Sequence, residues 1–424
     1  MRSTRFELLG ATWALFLGLG FLMMGNGLQS SLVGLRTESE GFGTTVSGIV
    51  MSFYFVGFLF GTRVANKALQ NVGHVRVFAA LASIASSSVL VYALAVNPLS
   101  WAAMRFATGM CFAGLYVVVE GWLNDLATND NRGRTLAVYM VVSIGGVGVG
   151  QLFLSTGATS GPNLFILSSV LVSLALVPVA LSGASAPPVT INPTFPLREI
   201  WKIVPTGLIT SFASGLGNGA LFGMGAVYAS GAGLSPAAVG IFILMPMIGA
   251  VVFQFPIGII SDKVPRRVVI FGVALVGVLV PIALASTEAG STLSLGLMVL
   301  LGGMMFPMYS LGIAYTNDWL PSGQIVAAAG QLVLTNGLGA VFGPFMATGF
   351  IRVFGNQGFF LSIATAHLFL VIYLGYRLIT RDGLPLDRQG PYVPFPARAS
   401  GAAAGLLVRR RKKKVKKAAA AAGS

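Results

Sequence analysis

The sequence predicts an all-α membrane protein, with twelve transmembrane helices forming two six-helix bundles related by a parallel repeat. Three observations predict it. Of 424 residues, 55% are hydrophobic and only 9% are charged, against roughly 25% charged in an average soluble protein. Apolar stretches of about 20 residues, enough to cross roughly 30 Å of hydrocarbon, recur twelve times. The second six repeat landmarks of the first at a shift of 192–193 residues.

The first six spans fall near 8–33, 44–65, 77–96, 101–126, 135–156 and 163–182, bounded by Gly, Pro and short polar clusters. Span one is too long for a signal peptide and lacks an Ala-x-Ala exit, so it reads as an uncleaved anchor. Span five carries Gly145, Gly146, Gly148 and Gly150; such small residues let helices approach closely in lipid. The second six fall near 202–229, 236–259, 267–286, 292–316, 326–350 and 358–379.

Composition also excludes chemistry. A chain this apolar cannot cover its core with polar surface, which argues against a soluble enzyme. The single Cys111 excludes an internal disulfide or a Cys-ligated cluster. His74 and His367 stand far apart, so no metal or cofactor site is expected. There is no Gly-x-x-x-x-Gly-Lys-Ser/Thr, so a nucleotide-hydrolysing pump is unsupported. Energy must come from an ion or solute gradient.

Orientation follows from the basic residues. With the N-terminus cytoplasmic, 24 of the 27 Lys and Arg lie on the cytoplasmic side or at its helix ends. Arg36 and Arg352 occupy opposite loops, and Arg105 lies inside a span. The positive-inside rule therefore puts both ends in the cytoplasm.

The repeat is specific at polar positions. Gly25-Asn26-Gly27 recurs as Gly217-Asn218-Gly219, and Gly48 as Gly240. Gly109, Tyr116, Asn124 and Asp125 recur as Gly302, Tyr309, Asn317 and Asp318. Gly146 and Gly150 recur as Gly339 and Gly343. Two such halves with a site between them can rock to expose it to each side in turn.

Over roughly 1–380 the chain resembles the major facilitator superfamily. Gly258-Ile-Ile-Ser-Asp262-Lys263-Val-Pro265-Arg266-Arg267 is similar to the family's signature loop, with Pro265 replacing a glycine. After span two, Gly73, His74 and Arg76 persist, but Gln70 and Asn71 replace the acidic-basic pair. The resemblance implies a latch at cytoplasmic helix ends, weaker in the first half. Arg105-x-x-x-Gly109 resembles the family's basic fourth-helix motif. Gln151 follows Gly150 where drug antiporters carry proline, which argues against a drug–proton antiporter. Tyr116-Val-Val-Val-Glu120, followed by Arg132-Gly133-Arg134, is similar to the largely uncharacterised YcaD-like subgroup. The resemblance implies a transport class without a substrate.

The fourth span carries the sharpest candidates. Arg105, Gly109, Phe112, Tyr116 and Glu120 share a stripe about 80° wide. An ionised residue near mid-bilayer costs at least about 2.5–3.5 kcal/mol and is kept where it faces protein or a wet cavity. Glu120 is thus a proton-coupling or substrate-facing carboxylate, or else a gate salt bridge to Arg132 or Arg134. Arg105 attracts an anionic group, or snorkels to the interface beside Trp101. The second-half stripe keeps Tyr309 but lacks both charges. Span one has Asn26, Gln29 and Ser30 against Asn218, Leu221 and Phe222 in span seven. The first half is therefore expected to recognise polar groups and the second to supply apolar contact. Tyr54, Gln151, Gln254, Gln331, Asn336 and His367 either line the pathway or bond between helices.

The expected organisation is a first bundle over 1–182, a proline-rich cytoplasmic linker over 183–201, a second bundle over 202–380 and a disordered tail over 381–424. The tail's basic run 409–417 suits anionic lipid headgroups rather than nucleic acid. The resulting expectation is a monomeric, proton-coupled secondary transporter of a small organic solute in a bacterial-type inner membrane. The rival is a non-transporting sensor or membrane assembly factor of the same fold.

Overall fold

The computed structural model describes residues 2–127, 131–181, 195–321 and 324–394, without the side chains of 2–11 and Arg132. The basic run 409–417 and most of the expected linker lie outside the described residues. All regular structure among them is helical. In chain order the helices are α1 (Arg2–Ser39), α2 (Gly43–Val72), α3 (His74–Leu94), α4 (Pro98–Leu126), α5 (Arg132–Leu152), α6 (Asn163–Leu174) and α7 (Leu176–Leu181). Then follow α8 (Leu197–Ile203), α9 (Pro205–Gly231), α10 (Pro236–Lys263), α11 (Arg266–Ala285), α12 (Thr292–Trp319), α13 (Ile325–Phe354) and α14 (Gly358–Thr380).

Every expected span corresponds to one of these elements, with two local differences. Span six is broken into α6 and α7, because Pro178 lacks the N–H that Leu174 would receive and its ring crowds that carbonyl. The expected start of span seven at 202 lies instead in the short α8. Pro205, at the first turn of α9, ends what precedes it. Among the described residues, ten stretches are long and apolar enough to cross a membrane, one of them covering both α13 and α14. Helix α9 is not among them. It is buried on nearly every side, and a helix that faces protein needs less apolar surface than one that faces lipid.

Helix starts follow from local chemistry. Asn97 caps α4 by accepting from Ser100 N at 2.9 Å, with Pro98 in the first turn. Ser291 caps the equivalent α12 from Ser294 N at 3.2 Å. Gly73 joins α2 to α3 at φ 81°, a conformation that a side chain would strain.

The repeat is a repeat of packing. In the first half α2 lies against α4 and α1 against α5; in the second, α10 lies against α12 and α9 against α13. A Cβ on Gly57 would strike the Phe106 carbonyl, and one on its repeat mate Gly249 would strike that of Val299. Gly109 meets the Tyr54 carbonyl as Gly302 meets that of Pro246. Gly27 meets Val147 as Gly219 meets Ala340, and Gly150 meets Met24 as Gly343 meets Leu216.

The halves join by the same symmetry. Gly48 on α2 fits against Thr348 on α13, and its mate Gly240 on α10 fits against Gln151 on α5. Gly34 abuts Ala226, and Gly223 abuts Pro344. These contacts gather at the helix ends remote from the chain termini.

The chain from 381 to 394 departs from the expected disorder. It folds back under the second half: Tyr392 N donates to Asp262 at 2.6 Å and Gly390 N to Asp318 at 2.8 Å. The Tyr392 ring seats against Gly258 and is 8% exposed. A proline-, glycine- and arginine-rich stretch reads as disordered because its partners lie far away in sequence.

These contacts predict a split among glycines. Gly109→Ala and Gly302→Ala should each cost about 1–3 kcal/mol by overpacking. Gly145 meets nothing within 4 Å, so Gly145→Ala should hold or raise stability by about 0.5–1 kcal/mol. Thermal unfolding of the detergent-purified variants measures the difference.

Candidate functional site

A cavity of about 90 Å³ lies between the halves, on the terminal side of the contacts that join them. That is room for several waters or a small solute. From the first half come Tyr54, Phe55 and Phe58 of α2, Tyr116 of α4, and Tyr139, Ser143 and neighbours of α5. The second half contributes Asn218 and Phe222 of α9, Gln254 of α10, Phe306 of α12 and Asn336 of α13. No Lys, Arg, Asp or Glu lines it.

Of the expected pathway residues, Tyr116 and Asn218 line this cavity directly. Glu120 is 1% exposed and stands one residue behind the wall, where the Tyr139 hydroxyl donates to its carboxylate. Tyr309, fully buried in the second half, lies within electrostatic reach of Glu120. Tyr116 and Glu120, one helical turn apart, thus serve one site. The Tyr116 hydroxyl donates to Met23 Sδ at 3.0 Å.

Arg105, Gln29 and Asn26 form a second polar cluster that Tyr54 separates from the cavity. The Arg105 guanidinium lies over the Tyr54 ring, 4.7 Å from its centroid, a cation–π contact that suits a desolvated charge. At 2% exposure Arg105 does not snorkel. The Tyr54 hydroxyl donates to Asn26 Oδ1 at 3.4 Å. Gln29 and Thr108 approach the Tyr92 hydroxyl beside Arg105, yet neither amide atom of Gln29 completes a hydrogen bond.

Three residues were not singled out from sequence as site residues: Tyr139, Ser143 and Tyr392. Tyr139 and Ser143 lie one turn apart on α5, on the side that continues to Val147 of the cavity, so a polar stripe was legible. No signal linked Tyr139 to Glu120. The second half also brings three amides to the cavity: Asn218, Gln254 and Asn336. Its wall is therefore more than the apolar surface expected of it. Gln151 and His367 take the framework reading, bonding to the Gly27 carbonyl at 2.8 Å and the Ile363 carbonyl at 2.9 Å.

The loop after α10 is a built device. Arg266 is 1% exposed and ion-pairs with Asp318. It also donates to Ser261 Oγ at 2.9 Å, the Ala314 carbonyl at 3.2 Å and the Gly390 carbonyl at 2.8 Å, with Asp262 at 3.6 Å. Arg267 donates to the carbonyls of Arg377, Arg381 and Asp382 at 2.7–2.8 Å. Lys263 is exposed. In the first-half counterpart Arg76 and Arg134 are exposed, whereas Gly73 supplies the turn. The Arg132 side chain, one of the two expected for Glu120, lies outside the described residues.

Two helical repeats clasping a mid-height cavity, with ionisable groups held behind its walls, define a multi-pass membrane protein of the transporter type. The sequence profile of the Major Facilitator Superfamily matches residues 15–235 and 207–419, and the chain belongs to that family. It is 26% identical over 359 residues to the uncharacterised MFS-type transporter YcaD of Escherichia fergusonii, covering 84% of this chain and 93% of that one. The Escherichia coli K12 counterpart matches equally. Among solved structures, the nucleoside transporter NupG superposes with a TM-score of 0.73 at 13% identity, covering 88% of this chain and 100% of that one. A bacterial homologue of the human lysosomal transporter Spinster, inward-facing and unoccupied, gives 0.66 at 16% identity, covering 95% and 97%. The last two establish the fold.

Arg266→Ala should cost about 3–5 kcal/mol, because it strands the buried Asp318 carboxylate. Arg266→Lys should recover little of it, since an ammonium cannot reproduce the planar fork of donors. Thermal unfolding of both variants checks this, and equal recovery by lysine would contradict the assignment.

Proposed function

We propose that the protein is a secondary active transporter carrying a small organic solute by alternating access, coupled to protons. The observation that carries this reading is a cavity lined by seven helices, three from the first repeat half and four from the second. A site shared by two rigid halves changes its exposure when they rock. In the state described, the halves touch at the end remote from the termini. With both termini cytoplasmic, as the positive-inside count supports, that state faces inward. The bacterial relatives and the basic loops support an inner-membrane location.

Proton coupling rests on Glu120 and Tyr139. A buried carboxylate is balanced between desolvation, which favours its neutral form, and polar neighbours, which favour its charge. Tyr139 joins that balance to the cavity, because it touches both. Solute entering beside Tyr139 perturbs the carboxylate, and protonation of the carboxylate perturbs the wall. Such reciprocity is what coupling requires.

Reconstituted into proteoliposomes, the protein should move solute when a pH gradient is imposed, and Glu120→Gln should abolish the gradient-driven component. Exchange of labelled for unlabelled solute should survive, because it needs the cavity and not the proton. Unchanged gradient-driven flux in a well-folded Glu120→Gln protein removes the coupling role. A protein with no flux that co-purifies with a partner at fixed stoichiometry would instead be a sensor or assembly factor.

A further inference from the structure

Several polar side chains on the cavity wall donate their protons away from it. Two cases are fixed by partners that can only accept, and a third holds while Glu120 is ionised. Asn336 Nδ2 donates to the Ser211 carbonyl at 3.0 Å, so its own carbonyl is the end left for the cavity. Tyr116 donates to the Met23 thioether at 3.0 Å. Tyr139 donates to Glu120, which while ionised has no proton to return. Each phenol therefore has only oxygen lone pairs left to offer.

Asn218 is the exception: its Nδ2 donates to Ser214 Oγ at 3.3 Å, but its Oδ1 is fully buried and does not open on the cavity. Gln254 Nε2 donates to Ser310 Oγ at 3.1 Å and to Tyr392 Oη at 3.5 Å, which uses both its protons and leaves its carbonyl. Tyr54 donates to Asn26. Asn336, Gln254, Tyr116 and, with Glu120 ionised, Tyr139 thus present acceptors to the cavity, four of the seven polar side chains on its wall. No basic side chain lines the wall, four phenylalanines do, and the Glu120 carboxylate stands behind Tyr139.

We infer that the solute is a hydrogen-bond donor on a compact apolar or aromatic body, an organic ammonium or N–H-bearing amide rather than a carboxylate or phosphate. This deepens the transport reading and rests on the cavity being its solute site. Wall acceptors left unmet by the ligand would be desolvated without compensation, while aromatic faces attract an ammonium. An anionic solute meets lone pairs on both walls and finds no cation. Tyr392, from beyond the last span, is a positioning residue: it orients Gln254 without belonging to the helices that form the cavity.

The test is isothermal titration of the full-length protein in detergent with four probes sharing one body. Phenethylammonium and phenylacetamide carry donors; phenylacetate and N,N-dimethylphenylacetamide carry only acceptors. The donor probes should bind at least about tenfold more tightly. Asn336→Leu and Tyr116→Phe should each weaken donor binding several-fold and leave the acceptor probes unchanged, whereas Asn336→Asp should keep phenethylammonium binding. Tyr392→Phe, which keeps the ring against Gly258 and removes only the hydroxyl, should weaken donor binding without lowering the melting temperature. Equal or tighter binding of the acceptor probes, or no donor binding at about 10 mM, overturns the inference. Phe306→Trp separates the two readings. If it leaves donor affinity intact, the cavity is not the site; if it removes binding of all four probes that had bound alike, the site stands and the class falls.

Discussion

The structure depends on close contact between helix backbones. In lipid an apolar side chain gains little by moving from hydrocarbon to protein, so helices hold together by van der Waals fit, interhelical hydrogen bonds and close approach. Gly57, Gly109, Gly249 and Gly302 bring two pairs of helices to backbone contact, and Gly27, Gly150, Gly219 and Gly343 bring two more. Each half is then rigid at its own core. The joint between halves uses fewer such contacts, around Gly48 and Gly240. Tight within and lighter between is the condition for two bodies to rock.

That rigidity lets polar groups be assigned to definite tasks. Arg266 binds the loop, the end of α12 and the returning chain into one unit. Arg105 is held under Tyr54, and Arg36 bonds the carbonyls of Thr159 and Ser160 at 3.1 and 2.6 Å. Each cation is committed to the framework. The cavity inherits what the framework does not use.

Much of the architecture was legible in the sequence because it is written in local currency. Span length, basic loops and recurring Gly-x-Gly and Asn-Asp pairs need no knowledge of distant contacts. Most of the repeat glycines are backbone contacts, Gly27, Gly109, Gly150, Gly219, Gly302 and Gly343 among them, whereas Gly217 meets only side-chain atoms. Residue types in the site were legible too: Asn218, Tyr116 and Glu120 stood out as polar groups inside apolar spans. Their directions were not. Whether Glu120 meets Tyr139 or an arginine depends on how α4 and α5 rotate against each other, and no periodicity reports that. Tyr392 was illegible for a different reason. Its contacts with Gln254 and Asp262 span about 130 residues of sequence, and its own neighbourhood has the composition of a loop.

The acceptor character of the cavity follows from the same constraint as the packing. Away from water inside a membrane, a buried N–H or O–H is stabilised only by an acceptor within the protein. Donors are the scarcer resource: a hydroxyl has one proton and two lone pairs, and an amide carbonyl has two lone pairs of its own. When Asn336 is spent on the Ser211 carbonyl and Tyr139 on Glu120, what faces inward is oxygen. A protein that wanted an anion here would have to bring a lysine or arginine to the wall, and each buried arginine described above is engaged elsewhere. The framework's demand for donors and the cavity's supply of acceptors are therefore one balance, and a solute with protons to give is the partner that closes it.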